Sequence, residues 1–87
     1  MKIYKYELDL THKQTLELPQ GAQILTIQLQ DGKIVLWALV DDKCKLIKGN
    51  RFIECYYTGK EIEISHELTY ISTIQYNGLV YHFFERK

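Results

Sequence analysis

Apolar and polar residues alternate along most of the chain with a period of two. Near the start, Tyr4, Tyr6, Leu8 and Leu10 fall on one face and Ile3, Lys5, Glu7 and Asp9 on the other, the signature of a half-buried strand. The alternation breaks over residues 11–14 and resumes in Thr15-Leu16-Glu17-Leu18. It ends on Pro19-Gln20-Gly21, which has turn chemistry. Over residues 23–30, Leu25, Ile27 and Leu29 alternate with Thr26, Gln28 and Gln30. Asp31-Gly32 follows at once, and a second run occupies residues 33–40. An Asp-Gly pair between two such runs predicts a β-hairpin, because both central residues of a type I′ turn need positive φ. Asn77-Gly78, between residues 70–76 and 79–84, predicts another.

The run Ile34-Val35-Leu36-Trp37-Ala38-Leu39-Val40 does not alternate. A strand apolar on both faces is normally covered on both sides, so it is expected at the centre of the fold or against another subunit. Beyond it the pattern predicts a polar turn at Asp41-Asp42-Lys43, a short strand at 44–47 and a turn at Lys48-Gly49-Asn50. A strand is expected at 51–57 with Ile53, Cys55 and Tyr57 on one side, and another at Glu61-Ile62-Glu63-Ile64. Residues 65–68 have room for a single helical turn. The sum is an all-β domain over residues 1–87: a small antiparallel sandwich or partly open barrel of about seven short strands, with little helix.

Composition narrows the function. A chain of 87 residues holds one core and has a thin stability margin, and Cys44 and Cys55 do not make a disulfide framework. Self-association is therefore the expected route to extra stability, and sheet edges are where another copy docks. Eleven basic residues balance eleven acidic ones, so no global field draws the chain to nucleic acid or anionic lipid. No stretch has the apolar length of a signal peptide or a membrane span. Two free thiols then place the chain, as an expectation, in the cytosol.

Catalytic patterns are missing. His66-Glu67 has no second histidine at the spacing of a zinc-protease motif, no Gly-x-Ser-x-Gly occurs, and Gly59-Lys60 lacks the rest of a P-loop. The expectation is a binding protein that needs no cofactor and no metal. Seven tyrosines, three phenylalanines and one tryptophan supply broad apolar faces with polar tips, suited to stacking on planar ligands or to protein contacts. The most basic stretch, residues 43–60, interleaves lysines and Arg51 with Tyr56, Tyr57 and Thr58-Gly59. Charge for phosphates and rings for bases is the pattern of a nucleotide grip, although a solvated strand face has the same look. His82, between Tyr81 and Phe83, is either a satisfied structural histidine or a donor to a phosphate or base edge.

Several of these segments form a longer pattern: Ile3-Tyr4-Lys5-Tyr6, Leu18-Pro19-Gln20-Gly21-Ala22, Leu36-Trp37-Ala38-Leu39-Val40-Asp41, Tyr57-Thr58-Gly59-Lys60, Tyr70-Ile71-Ser72-Thr73 and Val80-Tyr81-His82-Phe83-Phe84-Glu85. In this it resembles a family of small proteins with an uncharacterised domain, found mostly in tailed bacteriophages and prophages. One relative in that family is regarded as an early phage protein that sequesters a cyclic dinucleotide such as cyclic GMP–AMP. The resemblance implies an anti-CBASS sponge in the host cytosol, with tight binding, no turnover and a symmetric homo-oligomer. On that reading Tyr4, Tyr6, Trp37 or Tyr57 would stack on bases. Lys5, Arg51 and Lys60 would meet phosphates, and Thr58, Gly59 and His82 would give polar or backbone contacts. The rival reading is a module that grips a host protein through the apolar 34–40 run. Single-stranded nucleic-acid binding is weaker, given the neutral charge.

Overall fold

The structure, a computed structural model, describes residues 1–63 and 67–87. It contains seven strands: β1 (Lys2–Leu8), β2 (Lys13–Pro19), β3 (Gln23–Gln30), β4 (Lys33–Val40), β5 (Lys48–Tyr57), β6 (Leu68–Tyr76) and β7 (Leu79–Arg86). They form two antiparallel sheets, a three-stranded one ordered β1-β4-β3 and a four-stranded one ordered β2-β5-β7-β6. Neither sheet closes into a barrel. Among the described residues no helix is long and apolar enough to cross a membrane.

Both hairpins form as their turn residues require. Asp31 and Gly32 have φ of 51° and 77°, and Asn77 and Gly78 have 51° and 79°, the paired positive angles of a type I′ turn. From each turn the register runs back without a slip until a bulge intervenes, at Leu25 in β3 and at Ile71 in β6. The bulge at Leu25 revises the expected face of β3. Ile24 lies opposite Ala38 and Ile27 opposite Leu36, while Leu25 is 40% exposed. One extra residue moves the side chains beyond it to the other face.

One core lies between the apolar faces of the two sheets. Leu8, Ile27, Ile34, Leu36, Ala38 and Val40 come from the three-stranded sheet, and Leu18, Ile53, Cys55, Ile74 and Phe83 from the four-stranded one. The sheets adjoin along β3 and β6 through a side chain. The Ser72 hydroxyl accepts the Ile27 N–H at 2.8 Å and lies 2.9 Å from Thr26 Oγ1. It takes the place of a ladder bond where the bulged edges do not pair. Arg51 ties the sheets at another point, pairing with Glu85 and donating from Nη1 to the Ala22 carbonyl at 2.7 Å.

Three further expectations are corrected. The strand expected at 44–47 is absent: a single 3₁₀ turn covers Asp42–Cys44, capped by the Asp41 carboxylate, which accepts the Lys43 N–H at 3.0 Å. The turn expected at Lys48-Gly49-Asn50 is the start of β5, held by ladder pairing of these residues with Pro19, Leu18 and Glu17. Residues 61–63 are exposed and form no strand, because alternation marks an amphipathic segment but does not supply a pairing edge. Residue 64 of that expected strand and residues 65 and 66 of the expected helical turn lie outside the described residues, and Leu68, the last residue of that turn, is instead the first of β6.

β4 is central in its sheet, as its composition demands. Its outer face is only partly covered. Val35, opposite Glu7 and Gln28, is buried, whereas Trp37 and Leu39 are half-exposed and the neighbouring Ile3 is 58% exposed.

Candidate functional site

The outer face of the four-stranded sheet is built from facing residues of β5, β7 and β6. Glu54 lies opposite Phe84, Tyr56 opposite His82, and Thr73 opposite His82 on the other side. At one end the Glu54 carboxylate, 3% exposed, takes a forked pair from Arg86 and a hydrogen bond from the Tyr56 hydroxyl. Arg86 also reaches Glu67 at 3.2 Å. The Arg86 hydrogen bond, reinforced by that of Tyr56, holds Glu54 below the usual carboxylate range despite its burial. Burial, then the Glu54 carboxylate, pushes the Tyr56 hydroxyl up. The aromatic rings lock edge to face: His12 on Tyr56 at 4.9 Å, Tyr56 on Phe84 at 5.9 Å, and Tyr70 on Phe84 at 5.7 Å. This end is a satisfied structural network.

The other end is more open. His82 lies between two hydroxyls, with Thr58 Oγ1 at 2.8 Å from Nε2 and Thr73 Oγ1 at 2.9 Å from Nδ1. The Tyr70 hydroxyl continues the chain to Thr73 at 2.7 Å. Thr58 opens the turn that leaves β5. Its N–H is held by the Val80 carbonyl at 3.2 Å, and Gly59 adopts φ 93°, a conformation that favours glycine. The turn carries Lys60 back over the Tyr57 ring, with Nζ 5.5 Å from the centroid, within cation–π range.

Tyr57 and Tyr81 are cross-strand neighbours and form the wall shared by two depressions. A largely apolar one of about 470 Å³ is lined by Tyr57, Thr58, Gly78, Leu79, Val80 and Tyr81. The other, about 270 Å³, adds Lys60, His12, Cys55 and Leu10 around the same two rings. This corner thus offers two tyrosine rings, one ammonium group and the Thr58 side chain beside the exposed Gly59 backbone.

Of the ten residues singled out in the sequence, Tyr57, Thr58 and Lys60 line these depressions. Gly59 lies in the turn between Thr58 and Lys60. His82 lines neither, sitting on the opposite face of β7 from Tyr81 and linked to the corner only through the Thr58 hydroxyl. The other five are placed elsewhere. Tyr4 and Tyr6 are half-buried against the core from β1, and the Tyr4 hydroxyl donates to Asp42 at 3.2 Å. Burial, then the neighbouring Tyr4, raises the Tyr6 hydroxyl. Lys5 and Trp37 are register neighbours on the outer face of the three-stranded sheet, where Lys5 donates to Gln30 at 2.8 Å. Arg51 is removed from the phosphate-binding set. All three guanidinium nitrogens are engaged by Glu85 and the Ala22 carbonyl inside the protein. Tyr81, Thr73 and Tyr70 escaped the sequence reading as site residues. Counting back from Asn77-Gly78 places Thr73 opposite His82, so that signal was present. The β5–β7 pairing that brings Tyr81 to Tyr57 is non-local and left none.

Among the described residues no group of three or more His, Cys, Asp and Glu is placed to hold a metal ion. A family model described as "Domain of unknown function (DUF7352)" matches residues 1–87, and the chain belongs to that family. No curated protein and no solved structure matches it.

Proposed function

Because the DUF7352 family carries no assigned function, the reading rests on this chain's own geometry, and we propose a non-catalytic binding protein whose β5–β7 corner receives a nucleotide. A cyclic dinucleotide such as cyclic GMP–AMP is the class implied by the phage-family resemblance. The observation that carries the reading is the pair of adjoining depressions that share Tyr57 and Tyr81, with Lys60 at one and Thr58 at the other.

Each feature has a task. The tyrosine rings stack on a base, the Lys60 ammonium meets a phosphate as a point charge, and the Gly59 backbone allows close approach. The Thr58 hydroxyl keeps hydrogen-bonding capacity for a base edge, while His82, with both ring nitrogens taken by Thr58 and Thr73, holds that hydroxyl in place. Binding without turnover accords with the imidazole's partners, which are the hydroxyls of Thr58 and Thr73 rather than a carboxylate. Inside an infected cell such a protein serves phage counter-defence by lowering the free signal.

Calorimetric titration with a panel of cyclic dinucleotides tests this. Tyr57→Ala and Lys60→Ala are each expected to weaken binding about tenfold, the scale of one lost stacking or charge contact. Heats no larger than dilution across the panel would overturn the proposal.

A second reading has one observation in its favour: the outer face of the three-stranded sheet leaves Ile3, Trp37 and Leu39 without full cover. There the chain would be a protein-interaction module. Its mark is a host protein that co-purifies stoichiometrically and is lost on Trp37→Ala, with nucleotide binding unchanged.

A further inference from the structure

We propose that β1 is a self-pairing edge, through which two copies of this chain join their three-stranded sheets into one. This does not rest on the nucleotide reading. Four strands lie at sheet edges: β1 and β3 in one sheet, β2 and β6 in the other. β3 and β6 are bulged and bridged to each other through Ser72. β2 ends on Pro19, which has no N–H to offer. β1 pairs with β4 through seven successive residues without a slip, and it contains no proline. β2 pairs with β5 as regularly through seven successive residues, but its last is Pro19. β1 is therefore the one regular edge free of proline among the described residues, and such an edge is a template for another strand.

Its sequence is compatible with a copy of itself in one register. Joining two sheets with like faces aligned restricts the antiparallel pairings. Centring on Lys5 sets lysine against lysine, and centring on Glu7 sets glutamate against glutamate. Centring on Tyr4 sets Tyr6 against Lys2. Centring on Tyr6 places Lys5 opposite Glu7 of the second copy, twice by symmetry, on the outer face. It also places Tyr6 opposite Tyr6 and Tyr4 opposite Leu8 on the inner face. The pairing therefore satisfies both charges and extends the apolar row at once.

Conditions within one chain favour this. Tyr4 and Tyr6 pack on the core yet remain half-exposed, so a neighbouring strand would complete their burial. Among the described residues Glu7 is paired only with Lys33, at 3.8 Å and with both side chains about 65% exposed, which leaves its carboxylate able to meet a second lysine.

The test is sedimentation equilibrium of the full chain over a concentration series, with charge reversals at two exposed positions. The wild type is expected to be a dimer. Lys5→Glu and Glu7→Lys should each weaken dimerisation at least about tenfold by setting like charges opposite, and the Lys5→Glu/Glu7→Lys double variant should restore it. A monomeric wild type, a dimer indifferent to the single reversals, or a double variant that fails to recover would each overturn the proposal. Circular dichroism on every variant excludes unfolding as the cause, since both side chains are exposed.

Discussion

On the outer face of the four-stranded sheet, Tyr56 and Glu54 are 4% and 3% exposed. There the aromatic rings interlock and the one buried carboxylate is paired. The outer face of the three-stranded sheet is built on the same scaffold and shares the same core. Yet Trp37 and Leu39 stay half-exposed, with Lys5 donating to Gln30 and its ammonium 6.0 Å from the Trp37 ring. Cross-strand partners account for the difference. In the four-stranded sheet, Tyr70 faces Phe84 directly across β6 and β7, Phe84 meets Tyr56 edge to face on the diagonal, and His12 packs on Tyr56 as well. In the three-stranded sheet, Trp37 has Lys5 and Thr26 as register neighbours, and neither is large and apolar. The first face is closed over by its own rings; the second leaves apolar side chains half-covered.

The sharpest way to break this comparison is truncation. Tyr56→Ala should cost about 3–5 kcal/mol of stability, as large aromatic truncations in packed sites do. Trp37→Ala should cost less, about 2 kcal/mol, since its ring is half-buried and has no large apolar cross-strand neighbour. Urea unfolding of both variants measures the gap, and equal losses would mean that the faces are not differently packed.

Ser72→Val probes the junction between the sheets. It leaves the buried Ile27 N–H without its acceptor, at a cost of about 1–3 kcal/mol. A valine variant as stable as wild type would show that the hydroxyl bridge contributes nothing to the joint.

Acid sharpens the contrast further. The Glu54 carboxyl lies below its ordinary 4.5 in the folded protein, chiefly through Arg86. The unfolded chain therefore takes up this proton first, and the stabilisation present above about pH 4.5 is lost as pH falls through the folded value. Glu54→Gln should flatten stability against pH in that range, while Trp37→Ala leaves the slope unchanged. Urea midpoints between pH 3 and 6 read the difference.

The smallest effect is chemical. Burial pushes the Cys55 thiol up to about 11, so at pH 8 it should stay inert to a thiol reagent until the protein unfolds. Cys44, half-buried at the end of the 3₁₀ turn, should react in the native state.

Much of the fold was legible because its signals are local. Asp31-Gly32 and Asn77-Gly78 fixed two hairpins and the first several pairs of each. The bulges at Leu25 and Ile71 left no mark, because an extra residue in a strand looks like any other position. Cys44–Ile47 has the composition of a strand, but Asp41 captured the chain with a cap, a choice of hydrogen-bond partner that periodicity does not register. The site was half legible. Tyr57-Thr58-Gly59-Lys60 is contiguous, and its turn chemistry is visible. Arg51 looked free because its partners, Glu85 and the Ala22 carbonyl, are distant in sequence.

The central claim, that the Tyr57–Lys60 corner is the ligand site, is tested most directly by amide chemical-shift mapping during titration with a cyclic dinucleotide. The account predicts shifts centred on Thr58, Gly59, Lys60 and residues 79–82, with the amides of Val35, Trp37 and Leu39 unmoved. Shifts centred on the β4 face, or none anywhere at saturating ligand, would contradict it.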